Sequence, residues 1–199
     1  MIVGLTGGIG SGKTTVAEVF KKLDSVAVYI ADTEARKIMN SSDLIRTQLL
    51  QSFGQETYKN NELNRQYLAN TVFENTKKLT ILNNIVHPEV KKHFLDFSAK
   101  NTDKTYVLYE SAILFESNSS QQCDFVISVF LDKEERIKRV LDRDKTSEKE
   151  VLSRINSQWK EDKKLLSSNY IILNYAIQDT EKSVLKIHNI LTKKALTIL

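Results

Sequence analysis

A glycine-rich string near the start of the chain restricts the fold more than any other feature of the sequence. Residues 7–14 read Gly-Gly-Ile-Gly-Ser-Gly-Lys-Thr, a full match to the pattern G-x-x-x-x-G-K-[S/T]. The run Met1–Leu5 before it has the composition of a strand, and the run that begins at Lys13 has a helical pattern. A strand, a glycine turn and a helix in this order form the P-loop that binds phosphate in α/β proteins. The string therefore predicts nucleotide binding.

Each residue type in this string suits phosphate chemistry. Glycines let backbone N–H groups close around phosphate oxygens, and the N-terminus of the following helix adds a partial positive charge. Lys13 supplies an ammonium group for the β- and γ-phosphates, and the hydroxyl of Thr14 can coordinate Mg²⁺. The predicted nucleotide-binding residues of the loop are Gly8, Ile9, Gly10, Ser11, Gly12, Lys13, Thr14 and Thr15.

Strand-like runs alternate with helical patterns along the rest of the chain. The predicted strands are Met1–Leu5, Val26–Ile30, Thr105–Tyr109, Phe125–Leu131 and Tyr170–Leu173. The predicted helices are Lys13–Leu23, Glu89–Ala99, Lys133–Leu141 and Thr180–Leu199. Parallel strands need crossover connections, so this alternation predicts an α/β fold of the P-loop NTPase type, with a parallel sheet flanked by helices. We expect one domain over residues 1–199.

Two long segments lack strand patterns of their own. Residues 33–100 read as successive helices with breaks at Asn40–Ser42 and Asn60–Asn61, which predicts an inserted helical lobe, and Pro88 is placed at a helix start after His87. Residues 133–164 hold eleven Lys or Arg and eight Asp or Glu, so +3 of the whole-chain net charge of +4 lies there. Such a charge run is typical of a solvated helix surface, and it also suits a lid over an anionic ligand.

Composition indicates the cellular compartment and the kinds of partner that we expect for this chain. The single cysteine, Cys123, excludes an internal disulfide and favours a reducing compartment, where it is expected to be a small buried side chain beside a strand. The longest charge-free stretch, Leu165–Gln178, has 14 residues, fewer than the roughly 20 of a membrane span. A glycine-rich motif close behind Met1 leaves no room for a cleavable leader. We therefore expect a cytoplasmic protein with no membrane, no nucleic acid and no obligatory protein partner.

The motifs that accompany the P-loop favour a small kinase. The chain has no Asn-Lys dipeptide for reading guanine, no Asp-x-x-Gly switch and no acidic pair after a strand, which argues against regulatory GTPases and motor ATPases. A kinase needs a carboxylate near the acceptor hydroxyl and arginines around the transferring phosphoryl group. Two alternatives stay open at this point: a kinase for another small metabolite or nucleotide, and a nucleotide-binding regulator that hydrolyses ATP slowly.

Candidates for these kinase roles follow from position. Asp32 comes just past the second predicted strand, where it is either the base that orients and deprotonates the acceptor hydroxyl or an N-cap of the helix that starts near Thr33. Arg136, Arg139 and Arg143 are spaced to share one helix face, so they are either lid contacts to phosphate or surface partners of nearby carboxylates.

On these residues the sequence resembles the dephospho-CoA kinase family over nearly its whole length. The opening run Gly4–Thr14 is similar to the start of that family and more specific than a bare P-loop. Further matches are Ala31-Asp32, His87-Pro88, Leu114-Phe115-Glu116, Arg139, Arg143-Asp144, Arg154-Ile155, Gln158 and Asn174. The sequence departs from the family pattern at Ile30, Glu110, Ala112 and Tyr175-Ala176.

The resemblance implies the last step of coenzyme A synthesis, in which ATP with Mg²⁺ phosphorylates the ribose 3′-hydroxyl of dephospho-CoA. It implies catalytic roles for Asp32, Lys13, Arg139 and Arg143, and a nucleotide contact on the adenine side for Asn174. It also implies that residues 33–100 form the lobe that holds the acceptor and that residues 133–164 form the lid. The implied acceptor-side residues are Asp32, His87, Leu114, Phe115, Glu116 and Arg154.

Overall fold

The computed structural model describes residues 1–73 and 75–198, which divide into two compact units. One unit joins Met1–Ile30 with the chain from Asn101 onward, and the other is Ala31–Lys100. The strands are β1 (Ile2–Thr6), β2 (Val26–Ile30), β3 (Tyr58–Lys59), β4 (Glu62–Leu63), β5 (Tyr106–Glu110), β6 (Phe125–Phe130) and β7 (Tyr170–Leu173). The helices are α1 (Lys13–Lys21), α2 (Ala31–Ser41), α3 (Asp43–Phe53), α4 (Arg65–Phe73), α5 (Thr76–Lys100), α6 (Lys133–Asp144), α7 (Glu148–Asn156), α8 (Glu161–Leu166) and α9 (Ile177–Ile198).

A five-stranded sheet forms the centre of the first unit. Its order is β2-β5-β1-β6-β7, and every neighbouring pair is parallel. The strand that leads into the glycine-rich string, β1, is therefore the middle strand, with β5 and β6 on its two sides. All five carboxyl ends lie at the same edge of the sheet, which is the edge where the string leaves β1. The predicted parallel α/β class is confirmed, and the five predicted strands are found with bounds shifted by one residue at most.

Helices cover this sheet on both faces. Val16 of α1 and Val184 of α9 belong to one buried cluster with Ile127 and Val129 of β6. Successive side chains of a strand point to opposite faces, so Ser128 points away from that cluster. Its hydroxyl lies 2.8 Å from the hydroxyl of Ser168, which follows α8, so α8 covers the other face. The predicted C-terminal helix is α9, and its expected last residue, Leu199, lies outside the described residues.

The second unit is mostly helical but contains a hairpin that the sequence analysis missed. Strands β3 and β4 pair antiparallel, with Tyr58 opposite Leu63, so the expectation that residues 33–100 lack strands was wrong. The predicted break at Asn60–Asn61 is the hairpin turn, and both asparagines have positive φ, 52° and 66°. Asparagine tolerates this conformation better than most residues, which is why the Asn-Asn pair turns the chain here.

Pro88 lies inside α5 rather than at a helix start, so that prediction was also wrong. Proline lacks an N–H, so the carbonyl of Asn84 receives no hydrogen bond from position 88. The helix nevertheless runs on both sides of this position because Val86 and Val90 are both buried on its packed face. The other predicted break, Asn40–Ser42, is confirmed: α2 ends at Ser41, and Ser42 caps α3 by accepting a hydrogen bond from the N–H of Ile45.

The sequence predicted no membrane-spanning helix, and the structure can be compared with that prediction. Within the described residues, no helix is both long and apolar enough to span a bilayer.

Cys123 is half-buried between the 3-10 turn Ser119–Gln122 and β6. Burial is the main cause that raises the pKa of its thiol to about 12, and the nearby charge of Asp124 adds to the rise. The thiol is therefore protonated at neutral pH, as expected of a packing residue.

Candidate active site at the P-loop

The glycine-rich string is a compact loop between Thr6, the last residue of β1, and Lys13, the first residue of α1. Two of its glycines are required by close contacts. Gly10 has φ 81°, and a Cβ there would lie 2.5 Å from the carbonyl oxygen of Arg136. Gly12 has φ 87°, and a Cβ there would lie 2.0 Å from Nδ2 of Asn174. Any larger residue at either position would both strain the backbone and displace these neighbours.

The polar groups of this loop are arranged for an anion. Lys13 is 9% exposed, and its Nζ donates to the carbonyl of Gly8 at 3.3 Å, which folds the side chain back over the loop. The hydroxyl of Ser11 is fully buried and has no hydrogen-bond partner in the protein. Thr14 and Thr15 are exposed in the first turn of α1, a turn without acidic residues. A helix N-terminus, an ammonium group and hydroxyls together suit bound phosphate.

Two predicted nucleotide contacts use their amides within the protein. The N–H of Ser11 donates to the carbonyl of Gly8 at 3.1 Å, and the N–H of Ile9 donates to Oε1 of Gln158 at 2.9 Å. The carbonyl of Ile9 accepts a hydrogen bond from Nε of Arg136, also at 2.9 Å. Arg136 and Gln158 therefore hold the loop itself. From the sequence, Arg136 was predicted to be a lid contact to phosphate or a surface partner of carboxylates, and Gln158 was a match to the family pattern. Neither residue was predicted to support the P-loop.

Asn174 supports the far end of the loop. Its Nδ2 donates to the carbonyl of Ser11 at 2.8 Å, and its Oδ1 accepts from the hydroxyl of Thr180 at 2.9 Å. Its backbone carbonyl accepts from Nη2 of Arg139 at 3.0 Å. The side chain is buried, so this structure gives Asn174 a supporting contact with the loop, and a direct contact with the nucleotide stays a prediction. Arg139 is placed beside the same loop end.

Arg143 and Arg154 form a separate cluster around Asp144. Arg143 donates to Asp144 at 2.7 Å and Arg154 donates to it at 2.8 Å, with both arginine side chains well exposed. The hydrogen bond from Arg143 is the main cause that lowers the pKa of Asp144 to about 2. Burial opposes this shift, and the hydrogen bond and charge of Arg154 add to it. The two exposed guanidinium groups thus share the carboxylate of Asp144, and Glu150 also lies close enough to interact with the charge of Arg154.

The predicted acceptor-side run after β5 packs into the first unit. Leu114 has no exposed surface, and Phe115 stacks on Trp159 with ring centroids 5.5 Å apart. Glu116 accepts from the backbone N–H of Trp159 at 2.8 Å and pairs with Nζ of Lys164 at 3.0 Å. In this structure these side chains pack the segment after β5 against the residues around α8. Their contact with a substrate stays a prediction.

Asp32 and His87 belong to the second unit. Asp32 is the second residue of α2, which begins at Ala31 immediately after β2, so Asp32 is not the N-cap and that alternative was wrong. Its side chain is exposed. His87 lies in the middle of α5, half-buried, and burial lowers its imidazole pKa below the usual value. His87 is therefore neutral at neutral pH.

The donors for a metal ion are few. Among the residues that the structure describes, no three His, Cys, Asp or Glu side chains come together as ligands. Mg²⁺ bound with a nucleotide takes one or two protein oxygens and fills its other positions with phosphate oxygens and water. The exposed hydroxyl of Thr14 fits such a site. Glu110, buried at the end of β5 opposite Leu5 in register, is the nearest strand-end carboxylate in the sheet order.

Comparison with known proteins shows which family the chain is similar to. A family model described as "Dephospho-CoA kinase" matches residues 1–179. A dephospho-CoA kinase of Bacteroides fragilis is 34% identical over 172 residues, which cover 86% of this chain and 83% of the relative. That of Oceanobacillus iheyensis is 33% identical over 198 residues, covering 97% of each chain.

Solved structures show the same fold. TT1252 from Thermus thermophilus has a TM-score of 0.84 at 29% identity and covers 94% of this chain and 95% of its own. Dephospho-CoA kinase from Campylobacter jejuni has a TM-score of 0.63 at 25% identity, covering 96% and 97%. A parallel sheet with an intact P-loop on its middle strand, together with these matches along nearly the whole length, shows that the chain belongs to the dephospho-CoA kinase family.

Proposed function

We propose that this chain transfers the γ-phosphoryl group of ATP to the ribose 3′-hydroxyl of dephospho-CoA and releases CoA and ADP, the reaction that its family is named for. The observation that supports this most is the complete P-loop on β1, within a chain that matches the family model over residues 1–179. In such a transfer the transition state is loose, so the protein contributes mainly by positioning and by stabilising charge.

The loop and the start of α1 would hold ATP. Lys13 would place its ammonium group on the β- and γ-phosphates, and its burial and its contact with Gly8 leave it little freedom to move elsewhere. The hydroxyls of Ser11, Thr14 and Thr15 would contact phosphate oxygens or the metal. Mg²⁺ would be held through Thr14 and the phosphates, with Glu110 as a candidate outer ligand through water. When bound, Mg²⁺ neutralises charge on the β- and γ-phosphates.

Asp32 would orient the acceptor hydroxyl and accept its proton. It follows the last residue of β2 by two positions, and in parallel sheets ligands bind beyond the carboxyl ends of the strands. Its exposed carboxylate, in the first turn of α2, is not an N-cap, which supports a role toward a ligand. Residues 33–100 would form the lobe for the acceptor, with His87 as a neutral side chain within it.

Arginines of residues 133–164 would act as the lid. Arg139 lies beside Asn174 at the end of the loop, and Arg143 and Arg154 have exposed guanidinium groups that share the carboxylate of Asp144. Arginine binds phosphate oxygens in a two-pronged geometry, so these side chains suit the phosphates of both substrates. The same chemistry removes any need for nucleic acid to explain the basic charge. We propose a cytoplasmic enzyme without an obligatory protein partner.

The activity is tested by incubating the full chain with Mg-ATP and dephospho-CoA. We expect ADP and CoA in equal amounts, separated and quantified by chromatography. ADP formed at the same rate without any acceptor would overturn the proposal in favour of a regulatory ATPase. Turnover of a different hydroxyl acceptor, with none of dephospho-CoA, would favour another metabolite kinase.

The role of Asp32 is tested with Asp32→Asn. Loss of a positioned proton acceptor lowers kcat by about 100-fold or more, while the affinity for ADP stays unchanged. The matched control is Glu34→Gln, which removes a carboxylate from the same helix turn, where Glu34 pairs with Lys37 at 2.8 Å. A kcat of Asp32→Asn within threefold of the unsubstituted chain would show that Asp32 is not the base.

A further inference from the structure

Arg136 is the arginine of α6 that lies deepest in the protein. Its side chain is 5% exposed, whereas that of Arg143, two turns further along the same helix, is 62% exposed. Its Nε donates to the carbonyl of Ile9, and its Nη1 contacts the carboxylate of Glu161 at the first residue of α8. One guanidinium group thus joins three elements: the P-loop, α6 and α8.

The contact with the loop extends over three consecutive residues. A Cβ on Gly8 would lie 2.4 Å from Cζ of Arg136, so the guanidinium lies directly against the Gly8 backbone. The backbone carbonyl of Arg136 lies against Gly10, where a Cβ would be 2.5 Å away. Between them, Ile9 receives the Nε hydrogen bond. A side chain on either glycine would exclude Arg136 from its present position.

Gln158 holds the other side of the same loop segment. Its Oε1 accepts from the N–H of Ile9, which fixes the peptide between Gly8 and Ile9, while Arg136 fixes the peptide between Ile9 and Gly10. Its Nε2 donates to the carbonyl of Ala112 at 3.2 Å, and Lys164 donates to the same carbonyl at 3.1 Å. Both peptides at the tip of a glycine-rich loop are therefore held by side chains that are themselves anchored.

The carboxylate of Glu161 restricts the position of the Arg136 side chain. This carboxylate offsets the guanidinium charge, and the pair is nearly buried, with side chains 5% and 22% exposed. An arginine paired in this way is held in one geometry, since leaving the pair would expose an uncompensated charge in a poorly solvated place. Glycine-rich loops lose much conformational entropy when ordered, so a fixed clamp lowers the free energy needed to order the loop on binding.

We propose that Arg136 and Gln158, with Glu161 as the counter-charge, are positioning residues that hold the tip of the P-loop in its nucleotide-binding shape before the nucleotide arrives. The inference deepens the proposed function and rests on it for the identity of the nucleotide. Arg136 acts through the loop and not on the transferring phosphoryl group. Its loss therefore weakens binding of ground state and transition state alike.

The experiment measures hydrogen exchange of the Ile9 amide by NMR in the full chain without ligand, and the Kd for MgADP by calorimetry. The variants are Arg136→Ala, Arg136→Lys and Gln158→Met, with Lys138→Ala as the matched control on the exposed face of α6. For Arg136→Ala and Gln158→Met we expect Ile9 exchange at least about fivefold faster and MgADP binding about tenfold weaker, the scale of one or two lost hydrogen bonds. For Arg136→Lys we expect an exchange rate and a Kd between those of Arg136→Ala and those of the unsubstituted chain, because lysine keeps the positive charge but lacks the planar guanidinium with its several donors. Lys138→Ala changes neither quantity.

Kinetics then separate positioning from chemistry. With dephospho-CoA as acceptor, we expect Arg136→Ala to raise KM for ATP about tenfold while kcat stays within threefold. A large fall in kcat with an unchanged Kd would overturn the proposal, since it would place Arg136 on the transferring group. Unchanged Ile9 exchange in both Gln158→Met and Arg136→Lys would also overturn it, and these variants keep the test valid if Arg136→Ala fails to fold. The hydrogen-exchange and MgADP-binding measurements need no acceptor, so they test the role of Arg136 and Gln158 even if the chain does not make CoA.

Discussion

Residues 133–164 contain two kinds of ion pair, and their surroundings separate them. Arg136 with Glu161, and Lys164 with Glu116 of the β5 side, are nearly buried, with the two cationic side chains 5% and 0% exposed. Arg143 and Arg154 around Asp144 are 62% and 44% exposed. Each buried pair holds one cation against one carboxylate, while in the exposed cluster two arginines share the carboxylate of Asp144. The buried pairs therefore hold the protein together, and of these ion pairs only the exposed arginines are accessible to an anionic ligand.

The largest effect expected from this contrast is on the buried pair of Lys164. Replacement Lys164→Met leaves the carboxylate of Glu116 without its cation, and breaking a buried pair on one side costs about 3–5 kcal/mol of unfolding free energy. The matched control is Lys160→Met, which removes an exposed lysine four residues earlier and should change the unfolding free energy by less than about 0.5 kcal/mol. Urea denaturation of both variants measures the difference. Equal losses in the two would abolish the distinction between buried and exposed pairs.

A smaller net effect is expected when both partners of that pair are replaced. Apolar side chains of similar volume often substitute for a buried ion pair at little cost, so Lys164→Met combined with Glu116→Leu should recover more than half of the stability lost by Lys164→Met alone. Recovery is incomplete because Glu116 also accepts from the N–H of Trp159, which the double variant leaves without that partner. The same urea titration completes the double-mutant cycle. A double variant no more stable than the single one would show that the pair is stabilising in its own right.

The sequence predicts the framework of this molecule better than it predicts the partners of its charges. The P-loop, the five parallel strands and the break between α2 and α3 follow from local patterns, because a strand with alternating or apolar residues and a glycine turn are specified within a few positions. The Tyr58–Leu63 hairpin was missed because each of its strands has two residues, too short for any periodicity. Pro88 was misplaced because the buried positions on either side of it maintain the helix.

The partners of the arginines could not be read from spacing. Arg136, Arg139 and Arg143 share one helix face in the sequence analysis, but the helix is buried at one end and exposed at the other. Their partners, Glu161, Asn174 and Asp144, lie from one to 35 residues away in sequence. Spacing along a helix shows which side chains share a face. Whether an arginine on that face binds phosphate, a carboxylate or a backbone carbonyl depends on which other elements pack beside it. For the same reason, the sequence did not predict that Arg136 supports the loop through the carbonyl of Ile9.

The smallest effect belongs to the exposed cluster, and it depends on pH. Exposed pairs contribute about 0–1 kcal/mol, so Asp144→Asn should lower the unfolding free energy by less than about 1 kcal/mol at pH 7. The folded pKa of Asp144 lies at about 2, below its usual 3.8, mainly because Arg143 donates to the carboxylate. A group with a depressed pKa stabilises the folded state above its unfolded pKa and loses that contribution as the pH falls toward the folded value. The difference between the unsubstituted chain and Asp144→Asn should thus be constant from pH 7 to about pH 5 and shrink between pH 4 and pH 2. Urea titrations at pH 7, 5, 4 and 3 measure it, and a difference that grows on acidification would mean that Asp144 does not depend on its two arginines.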